Sequence, residues 1–487
     1  MPRTAPLPLT LPPLSPVEGE PLHRRLYLAL REMILDGRLP SGSRLPASRD
    51  LAGQMGLSRS TVVIAFEHLA AEGFVEARHG SGTRVAAASL ATATMPESAT
   101  PRPPRLGERA RTLMAGPAMT SVRDPGRPFA PGVPDLGAFP HSDWQRCLGR
   151  VWRGNPRDLM AAIDPLGHAP LRRAITLHVG RSRAVRCDPE QILVVGGSQQ
   201  GLDLIARVLL NPNDVALVED PYYGGMIAVL RAAGARVAPI PVDASGFDPD
   251  RAVRQWPEAR LACVTPSHQF PTGATMPLTR RMALLDWAAA NEGWIVEDDY
   301  DGDFRYGGAP LASLQGLDRH DRTLYCGTFS KSMFPGLRLG WLVVPKELVP
   351  AFVAARRLSD MAPSIIPQAA MAEFMAAGYY GAHLRRMRGL YAQRRTELLA
   401  ALTKPGPWLS ASAGEAGLHA IVWLKPGCDD REAAASALAH GLGPTPLSAH
   451  RASPGPPGLI LGYGNMAGWS VADAVARLHA ALTTRTG

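Results

Sequence analysis

Hydrophobic positions recur along this chain with two different periods. In residues 21–36, Leu22, Leu26, Ala29, Leu30 and Met33 fall three to four apart on one face, which predicts a helix. Pro21 suits its first turn and Gly37 its end. After Pro46 a second short helix turns Leu51 and Met55 inward, and Gly56 makes a turn. Ser58 then caps a third helix, in which Val62, Phe66 and Leu69 form an i, i+4, i+7 stripe. Past Gly73, two short strands flank the turn His79-Gly-Ser-Gly. Residues 21–87 therefore read as a winged helix-turn-helix. From residue 129 the period changes. Apolar runs of strand length (Ile192-Leu-Val-Val, Val215-Ala-Leu-Val, Leu261-Ala-Cys-Val, Trp294-Ile-Val, Arg322-Thr-Leu-Tyr-Cys) alternate with helical patterns, which predicts an α/β domain with a largely parallel sheet. We expect a large part at about residues 165–360 and a small C-terminal part at about 365–487. Residues 1–20 are Pro-rich and expected to be disordered. Residues 88–128, rich in Ala, Thr, Pro and Arg, are expected to be a linker.

Composition narrows the partners. The chain has 487 residues and a formal net charge of +9, which permits a nucleic-acid partner without proving one. No run of 18 apolar residues occurs, and the N-terminus has no apolar core of signal-peptide type. The five cysteines (147, 187, 263, 326 and 428) are scattered with no Cys-x-x-Cys, so neither a zinc ribbon nor a disulfide framework is indicated. A reducing cytoplasm is the expected location. Only four lysines are present, Lys331, Lys346, Lys404 and Lys425, so lysine chemistry has few candidates.

Two groups of residues carry candidate chemistry. At the start of the third helix, Ser58, Arg59, Ser60 and Thr61 sit where recognition helices meet the major groove. Arg44, Arg49, Arg78 and Arg84, with His79 and Ser81 of the wing turn, are placed to meet phosphates. A small helical protein-interaction domain is the bland alternative. In the second region, Lys331 follows a strand inside Thr328-Phe-Ser-Lys-Ser, and Arg338 lies seven residues on. A lysine that holds an aldehyde cofactor needs such a partly desolvated strand end so that its amine can be neutral. Ser330 and Arg338 can bind a phosphate. Pyridoxal 5'-phosphate needs a carboxylate at its pyridinium nitrogen and gains from a hydroxyl at its ring oxygen, and Asp298 and Tyr300 of Glu297-Asp-Asp-Tyr-Asp can supply them. The rival reading of that acidic run is a Mg²⁺ or Ca²⁺ site, but its spacing is not that of an EF-hand, and no metal is expected. Gly196-Gly-Ser198-Gln199 opens a helix after a strand and can cradle a phosphate. Tyr222 or Tyr223 can stack on a ring, or be structural.

Gly42-Ser-Arg-Leu-Pro-Ala-Ser-Arg-Asp-Leu-Ala, Leu57-Ser-Arg-Ser-Thr-Val and Gly80-Ser-Gly-Thr closely resemble the GntR-type winged helix of bacterial regulators. Thr265-Pro-Ser-His-Gln-Phe-Pro-Thr-Gly, Glu297-Asp-Asp-Tyr-Asp-Gly-Asp-Phe-Arg-Tyr and Gly327-Thr-Phe-Ser-Lys resemble the fold type I pyridoxal phosphate enzymes, the aspartate aminotransferase superfamily. In that order they resemble the MocR-type (GabR/PdxR-like) subfamily of GntR regulators. The resemblance implies that Lys331 forms the internal aldimine, that Asp298 faces the pyridine nitrogen and Tyr300 the ring oxygen, and that Ser198, Gln199, Ser330 and Arg338 surround the phosphate. It makes Tyr223 the better stacking candidate. His268 lies in the segment where aminotransferases place an Asn near the ring, but Phe270-Pro271 stands in place of that Asn-Pro. Ile460 stands where the carboxylate-binding Arg of an aminotransferase would, and Arg451 just upstream is the candidate substitute. The resemblance further implies a head-to-tail homodimer and a transcriptional regulator whose DNA binding responds to pyridoxal phosphate, an amino compound or both. A true aminotransferase with an appended DNA-binding domain is the alternative. The basic helix around His383-Leu-Arg-Arg-Met-Arg is read as a solvated face, with a second DNA contact as its rival.

Overall fold

The computed structural model describes residues 20–78, 82–86, 105–115, 126–154, 156–161, 163–307 and 311–483. Internal contacts divide the chain into two units, 1–105 and 106–487.

In the first unit, helices α1 (Leu22–Leu35), α2 (Ser48–Met55) and α3 (Arg59–Ala71) precede strands β1 (Val75–Arg78) and β2 (Gly82–Val85). One apolar cluster joins all five through Leu26, Leu30, Leu51, Val62, Leu69, Val75 and Val85. Leu22 departs from expectation: it starts α1 outside that cluster and is 47% exposed. Gly56 ends α2 with φ of 63°, a left-handed conformation that a side chain would disfavour. The strands pair antiparallel, and a bridge from Arg44 to Arg84 widens the wing.

The second unit is built on a seven-stranded sheet. Its strands are β3 (Ile192–Val195), β4 (Val215–Asp220), β5 (Arg236–Pro241), β6 (Ala259–Val264), β7 (Trp294–Asp299), β8 (Thr323–Thr328) and β9 (Gly340–Val343), in the order β3-β9-β8-β7-β6-β4-β5. Only β9 runs antiparallel to its neighbours. Strands β3, β4, β7 and β8 are buried on both faces, or nearly so, because helices cover both sides of a parallel sheet. A second, antiparallel sheet has the order β10-β11-β13-β12, made of Trp408–Ser412, His419–Leu424, Gly458–Gly462 and Thr445–Pro446. The segment that opens this unit is tied to the small part: Phe129 bridges Gly462, and Gly443 N–H donates to Pro128 O.

One expectation is corrected here. Within the stretch read as a linker, Glu108–Ala115 is a helix, α4, which belongs to the second unit. Its sequence, Glu-Arg-Ala-Arg-Thr-Leu-Met-Ala, contains no Gly or Pro, and Glu108 favours the first turn. It packs against helix Gly224–Ala232, and Arg109 Nε donates to Ala232 O at 2.9 Å.

Candidate functional site

In the winged helix, the start of α3 is organised by its cap. Ser58 Oγ accepts from Thr61 N–H at 3.1 Å and lies 2.8 Å from both Ser60 Oγ and Thr61 Oγ1. These three hydroxyls therefore hold the helix terminus as well as facing outward. Arg59 and Arg49 are exposed and have no hydrogen-bond or ion-pair partner among the described residues. Arg44 lies against Gly82, and Arg84 Nη1 donates to Gly42 O at 3.0 Å, so both brace the wing base. His79 and Ser81 lie outside the described residues, as does the side chain of Arg78.

In the second unit, the sheet gathers the other candidates at one edge, where the C-terminal ends of parallel strands meet. Lys331 comes three residues after β8, Asp298 lies near the end of β7, and Ser198 opens the helix Ser198–Leu209 just after β3. Lys331 Nζ donates to Gly132 O at 2.8 Å. Burial lowers its pKa, against the pull of the Asp301 and Asp298 carboxylates, and so favours a neutral amine. Asp298 is pushed up to about 7 by burial and by the neighbouring Asp299 and Asp301. Its Oδ1 is buried and has no hydrogen-bond partner among the described residues. A buried carboxylate oxygen left bare is costly, and a protonated pyridine nitrogen would satisfy it.

The phosphate end is equally specific. Gly197 has φ of 106°, and a Cβ there would come within 3.0 Å of the Arg338 guanidinium. Arg338 has no partner among the described residues. Backbone donors at the start of the helix Ser198–Leu209, Ser330 beside Thr328, and the Arg338 fork together suit a dianion. Gln199 departs from the sequence reading: its Nε2 donates to Gly225 O at 2.9 Å and its Oε1 accepts from Tyr223 OH at 3.1 Å, so it orients Tyr223. Burial pushes the Tyr223 phenol up to about 12, which keeps it a donor. Tyr300 OH lies 2.9 Å from His268 Nδ1, and that same nitrogen is 3.0 Å from Asp301 Oδ2. Burial holds the Tyr300 phenol protonated. The residues present thus fit pyridoxal phosphate at both ends.

The acidic run does not converge on a cation. Glu297 accepts from the backbone N–H groups of Leu314 and Gln315. Asp299 accepts from Arg183 and Tyr325, and Asp303 from Tyr380, with His178 at 3.0 Å. His268, Asp301 and His419 do approach one another within 4.8 Å. Two of the three are already bonded to each other, and His419 Nε2 is 2.9 Å from Pro271 O.

Two basic features differ from their readings. Arg451 Nη1 donates to Pro456 O in its own loop at 3.1 Å, so the guanidinium is engaged there. The arginine-rich helix Tyr379–Leu402 is neither a plain solvated face nor a free cationic patch. Arg386 donates to Ala138 O, Arg388 to Asp303 O, Arg394 to Gly464 O and Asp135, and Arg395 to Gly414 O. The sequence reading also missed His419 and His450, which flank Phe270 from the small part at ring-centroid distances of 5.5 and 5.2 Å. No local motif marks either one.

Residues 22–85 match the bacterial regulatory proteins of the gntR family, and residues 144–440 match aminotransferase class I and II. A probable rhizopine catabolism regulatory protein, MocR, of Rhizobium meliloti is 38% identical over 95% of this chain and 94% of its own length. The chain is a MocR-type member of the GntR family. This MocR-type regulator is also 32% identical to the pyridoxine biosynthesis regulator PdxR of Corynebacterium glutamicum, over 93% of the chain and 94% of that protein. Among solved structures, the α-aminoadipate aminotransferase LysN of Thermus thermophilus, in complex with a phosphopyridoxyl-leucine, superposes with a TM-score of 0.70 at 28% identity, covering 78% of this chain and 97% of LysN. The protein is thus a DNA-binding transcriptional regulator with an aminotransferase-like, pyridoxal phosphate-binding domain. Among the described residues, no helix is long and apolar enough to cross a membrane.

Proposed function

We propose that the regulator is a cytoplasmic head-to-tail homodimer in which pyridoxal phosphate at Lys331, with an amine effector, sets how two winged helices sit on an operator. The observation that carries this reading is the pairing of a desolvated Lys331 with an Asp298 whose Oδ1 is buried and bare. When bound, the cofactor supplies an aldehyde reactive toward primary amines and an electron-poor ring. The chain's own residues do the rest. Lys331 Nζ would hold the cofactor through its amine. Asp298 would stabilise a protonated ring nitrogen, and Tyr300, held at His268, would donate to the ring oxygen. Tyr223, oriented by Gln199, would pack on the ring, while Ser198, Ser330 and Arg338 would hold the phosphate. On the DNA side, Arg59, with Ser60 and Thr61, meets base edges, while Arg44, Arg49 and the wing residues His79 and Ser81 meet the backbone.

Ligand control requires that the two arrangements of the dimer differ in affinity both for the effector and for DNA, and the factor by which the effector changes DNA affinity then equals the factor by which DNA changes effector affinity. The test is a mobility shift with the DNA upstream of the regulator's own gene, without ligand, with pyridoxal phosphate, and with added amines, alongside sedimentation to count subunits. A ligand-dependent shift by a dimer is expected. A ligand-independent shift would remove the sensing role, and steady release of a keto acid from an amino acid would favour the aminotransferase alternative.

A further inference from the structure

Two substitutions relative to the aminotransferase pattern lie far apart in sequence, Phe270 where an Asn is usual and Ile460 where an Arg is usual. In the fold they meet at one apolar cluster. Phe270 packs on a small apolar cluster of Ile421, Leu447 and Ile460, with Trp423 beside it. Ile460 is fully buried in β13. The Phe270 ring meets Tyr300 edge-to-face at 5.8 Å and Tyr223 at 6.4 Å, so this wall faces the same space as the candidate cofactor groups.

Among the described residues, the wall itself (Phe270, Ile421, Leu447, Ile460 and Trp423) carries no cationic side chain. His419 and His450, on either side of Phe270, are both held at about 4 by burial and are neutral at neutral pH. On the cofactor reading Arg338 is committed to the phosphate end, and the other arginines of this part of the site are engaged. Arg183 pairs with Asp299 at 2.7 Å, Arg395 donates to Gly414 O, and Arg451 donates to Pro456 O. A carboxylate placed here would lose its water with no cation to replace it, a strongly unfavourable transfer. An amine with an uncharged substituent would bring no carboxylate to desolvate, and an apolar substituent would gain from burial against Phe270.

We propose that the site beside Lys331 admits a primary amine carrying no carboxylate on its nitrogen-bearing carbon, in preference to an α-amino acid. This inference rests on the reading of Lys331 as the cofactor lysine. The test uses the full-length protein loaded with pyridoxal phosphate and freed of excess cofactor, and matched pairs that differ only by the carboxylate: butylamine against norvaline, and 2-aminoethanol against serine. The readouts are the visible absorbance band and operator affinity. Each amine is expected to change both at a concentration at least about tenfold lower than its amino acid. Equal potency, preference for the amino acid, or no response to either would overturn the proposal. Ile460→Arg should narrow the gap by admitting the carboxylate. Because a buried arginine can unfold the small part, Phe270→Asn at the half-buried position is the second variant, with the same expected direction. If both variants fold and neither narrows the gap, the wall is not what selects. Absence of any band with pyridoxal phosphate alone would overturn the cofactor reading itself, and this inference with it.

Discussion

Arg59 at the start of α3 is exposed and has no partner among the described residues, whereas Arg388, Arg394 and Arg395 of helix Tyr379–Leu402 each donate to a backbone carbonyl. Both segments offer arginines that the sequence alone makes candidates for a DNA contact. The difference is what lies opposite. Arg59 is exposed, and there a guanidinium keeps its donors available for phosphates and bases. The long helix lies under the junction of the large and small parts, where carbonyls at Asp303, Gly414 and Gly464 need donors and would be costly to leave bare. Charge alone therefore does not mark a DNA surface. In this regulator Arg386, Arg388, Arg394 and Arg395 brace the aminotransferase-like domain.

Several measurements would break or sharpen that contrast. The largest effect is expected inside the second unit: Lys331→Ala should abolish the visible band of bound pyridoxal phosphate while the protein stays folded, checked by absorbance and circular dichroism. An unchanged band would remove Lys331 from its role. Asp298 should show itself through pH in the cofactor-free protein. Its folded pKa is raised from 3.8 to about 7, so the native state keeps a proton that the unfolded chain has released. Its contribution to stability therefore falls as pH rises from about 4 to 7. His419 and His450, lowered from 6.5 to about 4, act in the opposite direction over about pH 4 to 6.5. Relative to Asp298→Asn, the unmodified protein should lose thermal stability steadily across that range. A difference that does not vary with pH would refute the assignment.

Arg59→Ala should weaken operator binding by about 1–3 kcal/mol, roughly 5- to 150-fold, with no change in cofactor binding or melting temperature. Arg395→Ala should do the reverse, costing the second unit about 1.5 kcal/mol of stability while a folded sample keeps its operator affinity. If Arg395→Ala lowered DNA affinity at matched stability, the contrast between the units would collapse. The smallest effect is expected from Ser58→Ala, about 1 kcal/mol, confined to the melting of the winged helix because the cap bond to Thr61 is lost.

What was legible in the sequence follows from what is local. Strands β3, β4, β6, β7 and β8 are short apolar runs bounded by turns, and each stands where its run predicts it. Asp298 lies near the end of β7, and Lys331 and Ser198 come three residues after β8 and β3 respectively, so their clustering at one edge comes from the topology. Strand β5 escaped because Pro239 and Pro241 interrupt its pattern, which an edge strand tolerates. Strand β9 is only four residues long. Helix α4 was hidden by the Ala-, Pro- and Arg-rich composition around it. The Phe270 wall could not be read at all, since Ile421, Leu447, Ile460, His419 and His450 arrive from the small part, more than 140 residues away along the chain.

The account stands on a link between the two units. Operator affinity should therefore be titrated against pyridoxal phosphate, with and without butylamine, for the unmodified regulator and for Lys331→Ala in parallel. A ligand-dependent change in dissociation constant that is present in the first and absent in the second is the predicted result. An identical ligand response in both proteins would show that Lys331 does not report to the winged helix, and would contradict the account.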